Sequence, residues 1–161
     1  MLAVRMVVLE QTTPIRAPIA RCFDLSRSID LHVRSTADTH EAAVAGVTSG
    51  LIGPGEQVTW RAKHFGIWQN FTSEITAFDR PHYFQDSMVR GAFRSFRHDH
   101  YFVAEDRGTT VMRDVLQFAA PVPLIGSIAE FFLRSYLENF LRERNNVIKR
   151  VAESEEWRPF L

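Results

Sequence analysis

Cys22 is the only cysteine among 161 residues, so no internal disulfide can form, and no Cys/His spacing matches a structural zinc site. A reducing cytoplasm is the expected location. Neither charge dominates: Lys+Arg and Asp+Glu are both 19, and the chain has no basic excess of the kind that drives phosphate binding. Nucleic acid is therefore not an expected partner. No run reaches the roughly eighteen uninterrupted apolar residues of a spanning helix, and the first ten residues are too weakly apolar for a secretory signal. Stable membrane insertion is not expected. The glycines at 50, 53 and 55 have no Walker lysine after them and do not sit between a strand and a helix, so they read as a hairpin.

Apolar bulk is plentiful. With 45% hydrophobic and 12% aromatic content the chain fits one domain, residues 1–161, with a full-sized core. A first strand is expected from Met6 to Thr13, ended by Pro14. Pro18 then opens a short helix that puts Ile19, Cys22 and Phe23 on one inward face. Ser28 N-caps a second short helix holding Ile29, Leu31 and Val33. Six more strands follow at Glu41–Val47, Glu56–Phe65, Ile67–Phe78, His82–Arg90, Arg94–Glu105 and Thr109–Phe118. Their connections, such as Asp79-Arg80-Pro81, Gly91-Ala92 and Asp106-Arg107-Gly108, are turn chemistry, which predicts an antiparallel meander.

From Pro121-Val122-Pro123 the hydrophobic period changes from two to about 3.6. Ile125, Ile128, Ala129, Phe132, Tyr136, Phe140, Val147 and Val151 form one stripe, with Arg134, Glu138, Arg142, Glu143, Arg144 and Lys149 largely on the other side. This predicts a single helix from Leu124 to Glu156 with a buried face. Phe131-Phe132-Leu133 widens that face, and core packing is favoured over contact with a lipid surface or a partner.

Several local cues carry a resemblance: Ala17-Pro18 before Phe23, Gly55-Glu56 followed by Val58 and Trp60, and Gly91-Ala92-Phe93 ahead of His98-Asp99-His100-Tyr101-Phe102. The segment Thr109-Thr110-Val111-Met112-Arg113-Asp114, closing with Ala120-Pro121 before the helix, completes the pattern. In this order of elements the whole chain resembles the START and Bet v 1-like (SRPBCC) superfamily, in particular its bacterial polyketide cyclase/dehydrase-like branch. The resemblance implies an α+β helix-grip fold, a seven-stranded curved antiparallel sheet around a long C-terminal helix, with two short helices between strands 1 and 2. It also implies a cavity for lipids, quinones, isoprenoids or polyketides, with catalysis in a minority of members.

Alternation then nominates the lining. Phe96, His98, His100 and Phe102 share one face, as do Thr110, Met112, Leu116 and Phe118, which carry Asp114 with them. Phe84, Asp86, Met88 and Arg90 go together, as do Val58, Trp60, Ala62 and His64, and the helix adds Phe132 and Tyr136. Such a pocket is aromatic and aliphatic with a few polar groups, and suits an apolar ligand bearing a few oxygens. Burying charged groups there demands partners, so His98 or His100 is expected to pair with Asp86 or Asp114. Arg90 either clamps a ligand carboxylate or pairs with Asp86.

Two functions compete. One is non-catalytic binding of a hydrophobic small molecule. The other is cofactor-free cyclisation or dehydration, with His98, His100 and Asp114 as acid–base groups. A partner-binding module is a third reading, and self-association into a homodimer is left open. No cofactor is expected, and His98 with His100 lacks an assigned third metal ligand. Trp60, Trp68 and Phe71 are either core or ligand contacts, Cys22 reads as core, and His32, His40 and His82 are expected to face water.

Overall fold

The alternating segments assemble into one seven-stranded antiparallel sheet with the order β1-β7-β6-β5-β4-β3-β2. The computed structural model describes residues 5–106, 108–121 and 128–161. Its strands are β1 (Val7–Ile15), β2 (Ala42–Gly46), β3 (Gln57–His64), β4 (Ile67–Asp79), β5 (Tyr83–Arg90), β6 (Ser95–Ala104) and β7 (Thr110–Ala119). Helices α1 (Ile19–Ser26) and α2 (Ile29–Ser35) carry the chain from β1 to β2 at opposite edges, and α3 (Ile128–Ala152) follows β7. This is the helix-grip fold. No helix among the described residues is long and apolar enough to cross a membrane.

Local chemistry explains the joints. The Ser28 side chain accepts from Leu31 N at 3.4 Å and caps α2, satisfying a donor that the helix start leaves free. Gly46 ends β2 at φ +74°, and a Cβ there would lie 2.1 Å from Gln57 O, so only glycine permits the close return into β3. Register shifts at Ala43/Ala45 in β2 and at two points between β4 and β5 bend these strands locally.

Two expected boundaries move. β1 continues through Pro14 to Ile15, because an edge strand paired only with β7 has a free side on which a missing N–H is tolerated. The terminal helix stops at Ala152 rather than Glu156, and a 3-10 turn, Glu155–Phe160, follows with Ser154 Oγ accepting from Glu156 N at 3.2 Å. That turn brings Trp157 and Phe160 back onto the core. The expected helix start at Leu124 and the position of Ile125 fall at 122–127, outside the described residues.

The core has two clusters. In one, Phe23 meets Phe78, Phe84 and Phe102 with ring centroids 5.3 Å away in each case, an edge-on geometry that adds to the burial of the rings. In the other, Leu9, Leu116 and Phe118 of the sheet pack against Leu133 and Leu141 of α3. Burial of each such aliphatic side chain contributes about 1.5–3 kcal/mol. The buried residues of α3 are Glu130, Leu133, Leu141, Arg144, Asn145, Ile148, Val151 and Ala152, whereas Ile128, Phe131 and Phe132 in its first turns are 78%, 65% and 62% exposed. The expected apolar stripe is thus displaced around the helix, and three polar residues, Glu130, Arg144 and Asn145, are buried on it.

Candidate ligand cavity and its buried polar wall

Between the two core clusters lies a cavity of about 190 Å³. A single water needs only about 10–15 Å³ on the same basis, so the space is of organic-ligand scale. The concave face of the sheet supplies Trp60, Phe71, Phe84, Phe96 and Leu116, and α3 closes it with Leu137, Phe140 and Leu141. Most of this surface offers apolar contact. Polar groups gather in two places.

The first is a buried wall formed by β5, β6, β7 and α3. Cross-strand register places Asp86 opposite His98 and Asp114 opposite His100. His98 Nε2 lies 2.9 Å from Asp114 Oδ1, and His100 Nε2 lies 2.9 Å from Asp86 Oδ2. His100 Nδ1 is also 2.9 Å from Asp114 Oδ1, but it lies off the hydrogen-bonding direction and has no hydrogen-bond partner. From α3, Asn145 Nδ2 donates to Asp114 Oδ2 at 2.8 Å, and Arg144 Nη1 donates to Asn145 Oδ1 at 2.9 Å. Arg144 Nη2 donates to Ser26 O at 3.1 Å, and Nη1 is 3.5 Å from Asp114 Oδ1.

These contacts dictate protonation. A carboxylate only accepts, so each imidazole nitrogen bonded to one carries a proton. Burial opposes charge on His100, but the carboxylates of Asp114 and Asp86 override it and raise its pKa. Burial and the neighbouring His100 charge lower that of His98. Burial pushes Asp114 upward, yet the adjacent imidazoles of His100 and His98 hold it well below the usual carboxylate range; Asp86 is lowered by the same balance. When His100 carries its second proton, its charge and that of the Arg144 guanidinium balance the two carboxylates. Mutual compensation lets four charged groups leave water together. His98 stays neutral with its proton on Nε2, so its Nδ1 lone pair is free.

The second polar group sits at the other end of the cavity. His32 and Glu41 form a short contact, with the His32 ring 4.3 Å from that of Trp60. His64 Nδ1 and Tyr136 Oη are 2.6 Å apart. Burial lowers the His64 pKa and raises that of Tyr136, so both are neutral near pH 7.

The residues nominated from sequence divide accordingly. Trp60, His64, Phe84, Asp86, Phe96, His98, His100 and Leu116 line the cavity, and Asp114 is fully buried behind the histidines. Phe102 and Met112 point inward but are sealed in the Phe23 cluster. Tyr136 is set behind the cavity wall, in contact with His64 and Phe140, while Met88 is half-buried beside Gly91. Phe132 is exposed and lines nothing. Arg90 is exposed too: Met88 pairs with Ser73 but Arg90 with Thr72, so Val89 is an extra residue and the bulge turns Arg90 to the opposite face from Asp86. Trp68 lies outside, half-exposed, with the Arg61 guanidinium 5.2 Å from its ring. Cys22 is buried in the core, and desolvation pushes its thiol up to about 11.

Three contributors were misplaced or passed over. His32, expected in water, lies three residues after Ile29 on the inward side of α2. Arg144 and Asn145 fall between Leu141 and Ile148 at three- and four-residue spacing, and that position on the buried face was the available signal. A further property of the wall is that Asp86, His98 and His100 bring one potential metal-ligating atom each within 4.8 Å of one another.

Comparison with known proteins identifies the fold. No protein-family model matches the chain, and no curated protein matches it. Solved structures do. An aromatase/cyclase from a Streptomyces species superimposes with a TM-score of 0.72 at 15% identity, covering 92% of this chain and 94% of its own. A START superfamily protein from Mycobacterium smegmatis gives 0.68 at 10% identity, over 89% and 98%. A norcoclaurine synthase from Thalictrum flavum, a point mutant bound to a transition-state analogue, gives 0.68 at 10% identity, over 94% and 97%. The chain has the helix-grip architecture of START and Bet v 1-like proteins. At these identities the likeness establishes architecture, and activity must come from the site itself.

Proposed function

We propose that this protein binds a hydrophobic small molecule of lipid, quinone, isoprenoid or polyketide-like build in the cavity between the sheet and α3. The observation that carries the reading is an internal space of about 190 Å³ with aromatic and aliphatic walls and a few polar groups among them. Apolar walls supply affinity, while His98 Nδ1 and the Asp86 carboxylate orient a ligand hydroxyl by accepting its hydrogen bond. Titration with a fluorescent apolar probe, followed by displacement with candidate quinones, fatty acids and aromatic polyketides, tests it. Saturable one-to-one binding supports the proposal; absence of saturable binding for the probe and every candidate removes it.

The neutral His98 favours a second reading, cofactor-free acid–base chemistry of the cyclase or dehydratase kind. Asp114 fixes the His98 tautomer and leaves Nδ1 to take a proton from a carbon acid next to a carbonyl, with the His100–Asp86 pair beside it as proton donor. Two of the structural neighbours, the aromatase/cyclase and the synthase, are enzymes. Turnover of a poly-β-keto substrate that His98→Gln abolishes while probe binding persists supports this reading; turnover unchanged in that variant overturns it.

A further inference from the structure

We propose that Asp86, His98 and His100 form a binding site for a divalent first-row transition-metal ion such as Zn²⁺, Co²⁺ or Fe²⁺, with open coordination positions facing the cavity. Two imidazoles and one carboxylate suit these ions, whereas Mg²⁺ and Ca²⁺ favour oxygen-rich sets. The ligand atoms already lie within 4.8 Å of one another. Ligands about 2.0–2.2 Å from a common ion are at most roughly 4.4 Å apart, so small side-chain rotations complete the site.

Rigid elements hold the three residues. Asp86 and His98 are cross-strand partners on β5 and β6, and His100 lies two residues beyond His98 on the same face. A second observation points the same way. Histidine ligands normally give their other ring nitrogen to a carboxylate, which fixes the ring and raises its basicity. Asp114 occupies that place for both rings, 2.9 Å from His98 Nε2 and 2.9 Å from His100 Nδ1. His100 Nδ1 is buried without a hydrogen-bond partner; a small rotation of the ring toward an ion shared with Asp86 would align it on Asp114. Asn145 and Arg144 in turn anchor Asp114 from α3. His98 Nδ1 and His100 Nε2 are then the metal-facing atoms, and His98 and Asp86 border the cavity.

The inference uses the same cavity wall as the binding proposal and adds a polar anchor to it: an ion there would take a ligand oxygen directly. It also competes with the proton-transfer reading, because the ion takes the Nδ1 lone pair that reading needs. The full chain, stripped with chelator, is titrated with Co²⁺ by visible absorption and with Zn²⁺ by calorimetry. One equivalent of each is expected, with affinity at least about tenfold weaker in Asp86→Asn and His98→Gln and about 10–100-fold weaker in Asp114→Asn. Should these variants unfold, paramagnetic shifts of the His98 and His100 ring protons in the wild-type Co²⁺ protein decide the matter without them. Failure to bind one equivalent, folded variants that bind as wild type does, or unshifted His98 and His100 resonances would overturn the site. Probe binding to the stripped protein is measured in parallel, so loss of the metal proposal leaves the apolar-ligand proposal standing.

Discussion

Arg144 on α3 places its guanidinium 3.5 Å from the carboxylate of Asp114 on β7, with both side chains buried. Helix and sheet are therefore joined by charge as well as by apolar packing, and the joint forms the polar wall of the cavity. Removing the cation leaves Asp114 with two histidines and Asn145 but one positive charge fewer. Arg144→Met should cost about 3 kcal/mol. Urea denaturation monitored by circular dichroism checks this, and Arg144→Lys should recover only part of the loss because it cannot bridge Ser26 O, Asn145 and Asp114 together.

Stability should peak near pH 6.5. Above the ordinary histidine pKa of about 6.5, folded His100 keeps a proton that the unfolded chain releases, so stability falls with rising pH until the raised folded pKa is passed. Below about 6.5, the unfolded chain protonates His98 while the folded one resists, so stability falls with falling pH. Below about 3.9, loss of the lowered Asp114 and Asp86 contributions steepens the decline. Urea midpoints across pH 3 to 10 test this; His100→Gln should flatten the alkaline limb and His98→Gln the limb just below neutrality.

Trp60 should report occupancy. It is nearly buried on the cavity wall, whereas Trp68 is half-exposed on the outside of the sheet. Ligand addition should change intrinsic fluorescence in the wild type and in Trp68→Phe. In Trp60→Phe the change should disappear.

The β4–β5 bulge makes Arg90 dispensable for binding. Arg90→Ala should leave apolar-probe affinity within about twofold, because the side chain sits on the face of Thr72 rather than that of Asp86. Asp86→Ala, by contrast, removes a partner of His100 and should lower stability by about 1–3 kcal/mol in thermal or urea unfolding.

Much of the architecture was legible because period-two alternation from Glu56 to Phe118 and turn residues between strands specify an antiparallel sheet without long-range information. The pairing of His98 and His100 with aspartates was legible for the same reason: residues two apart share a face, and buried charge demands a partner. Arg90 was misread because one inserted residue reverses every face beyond it, and nothing in Val89 marks a bulge. Arg144 was placed on the solvent side because arginine is usually exposed; the geometric phase of Leu141 and Ile148 gave the opposite answer. Phe132 was placed inside because it continues an apolar stripe, but in those turns of α3 it is Glu130 and Leu133 that are buried, and Phe132 is exposed.

Filling the cavity tests the central claim most directly. Ala62 is buried on its wall, and Ala62→Phe puts a ring into the open space while leaving the polar wall intact. Native mass spectrometry and probe titration of the freshly purified wild type and of this variant should show one apolar molecule per chain in the wild type, and affinity at least about tenfold weaker in a variant that keeps its circular dichroism and thermal stability. Equal probe binding by the folded variant and the wild type would contradict a ligand site between the sheet and α3.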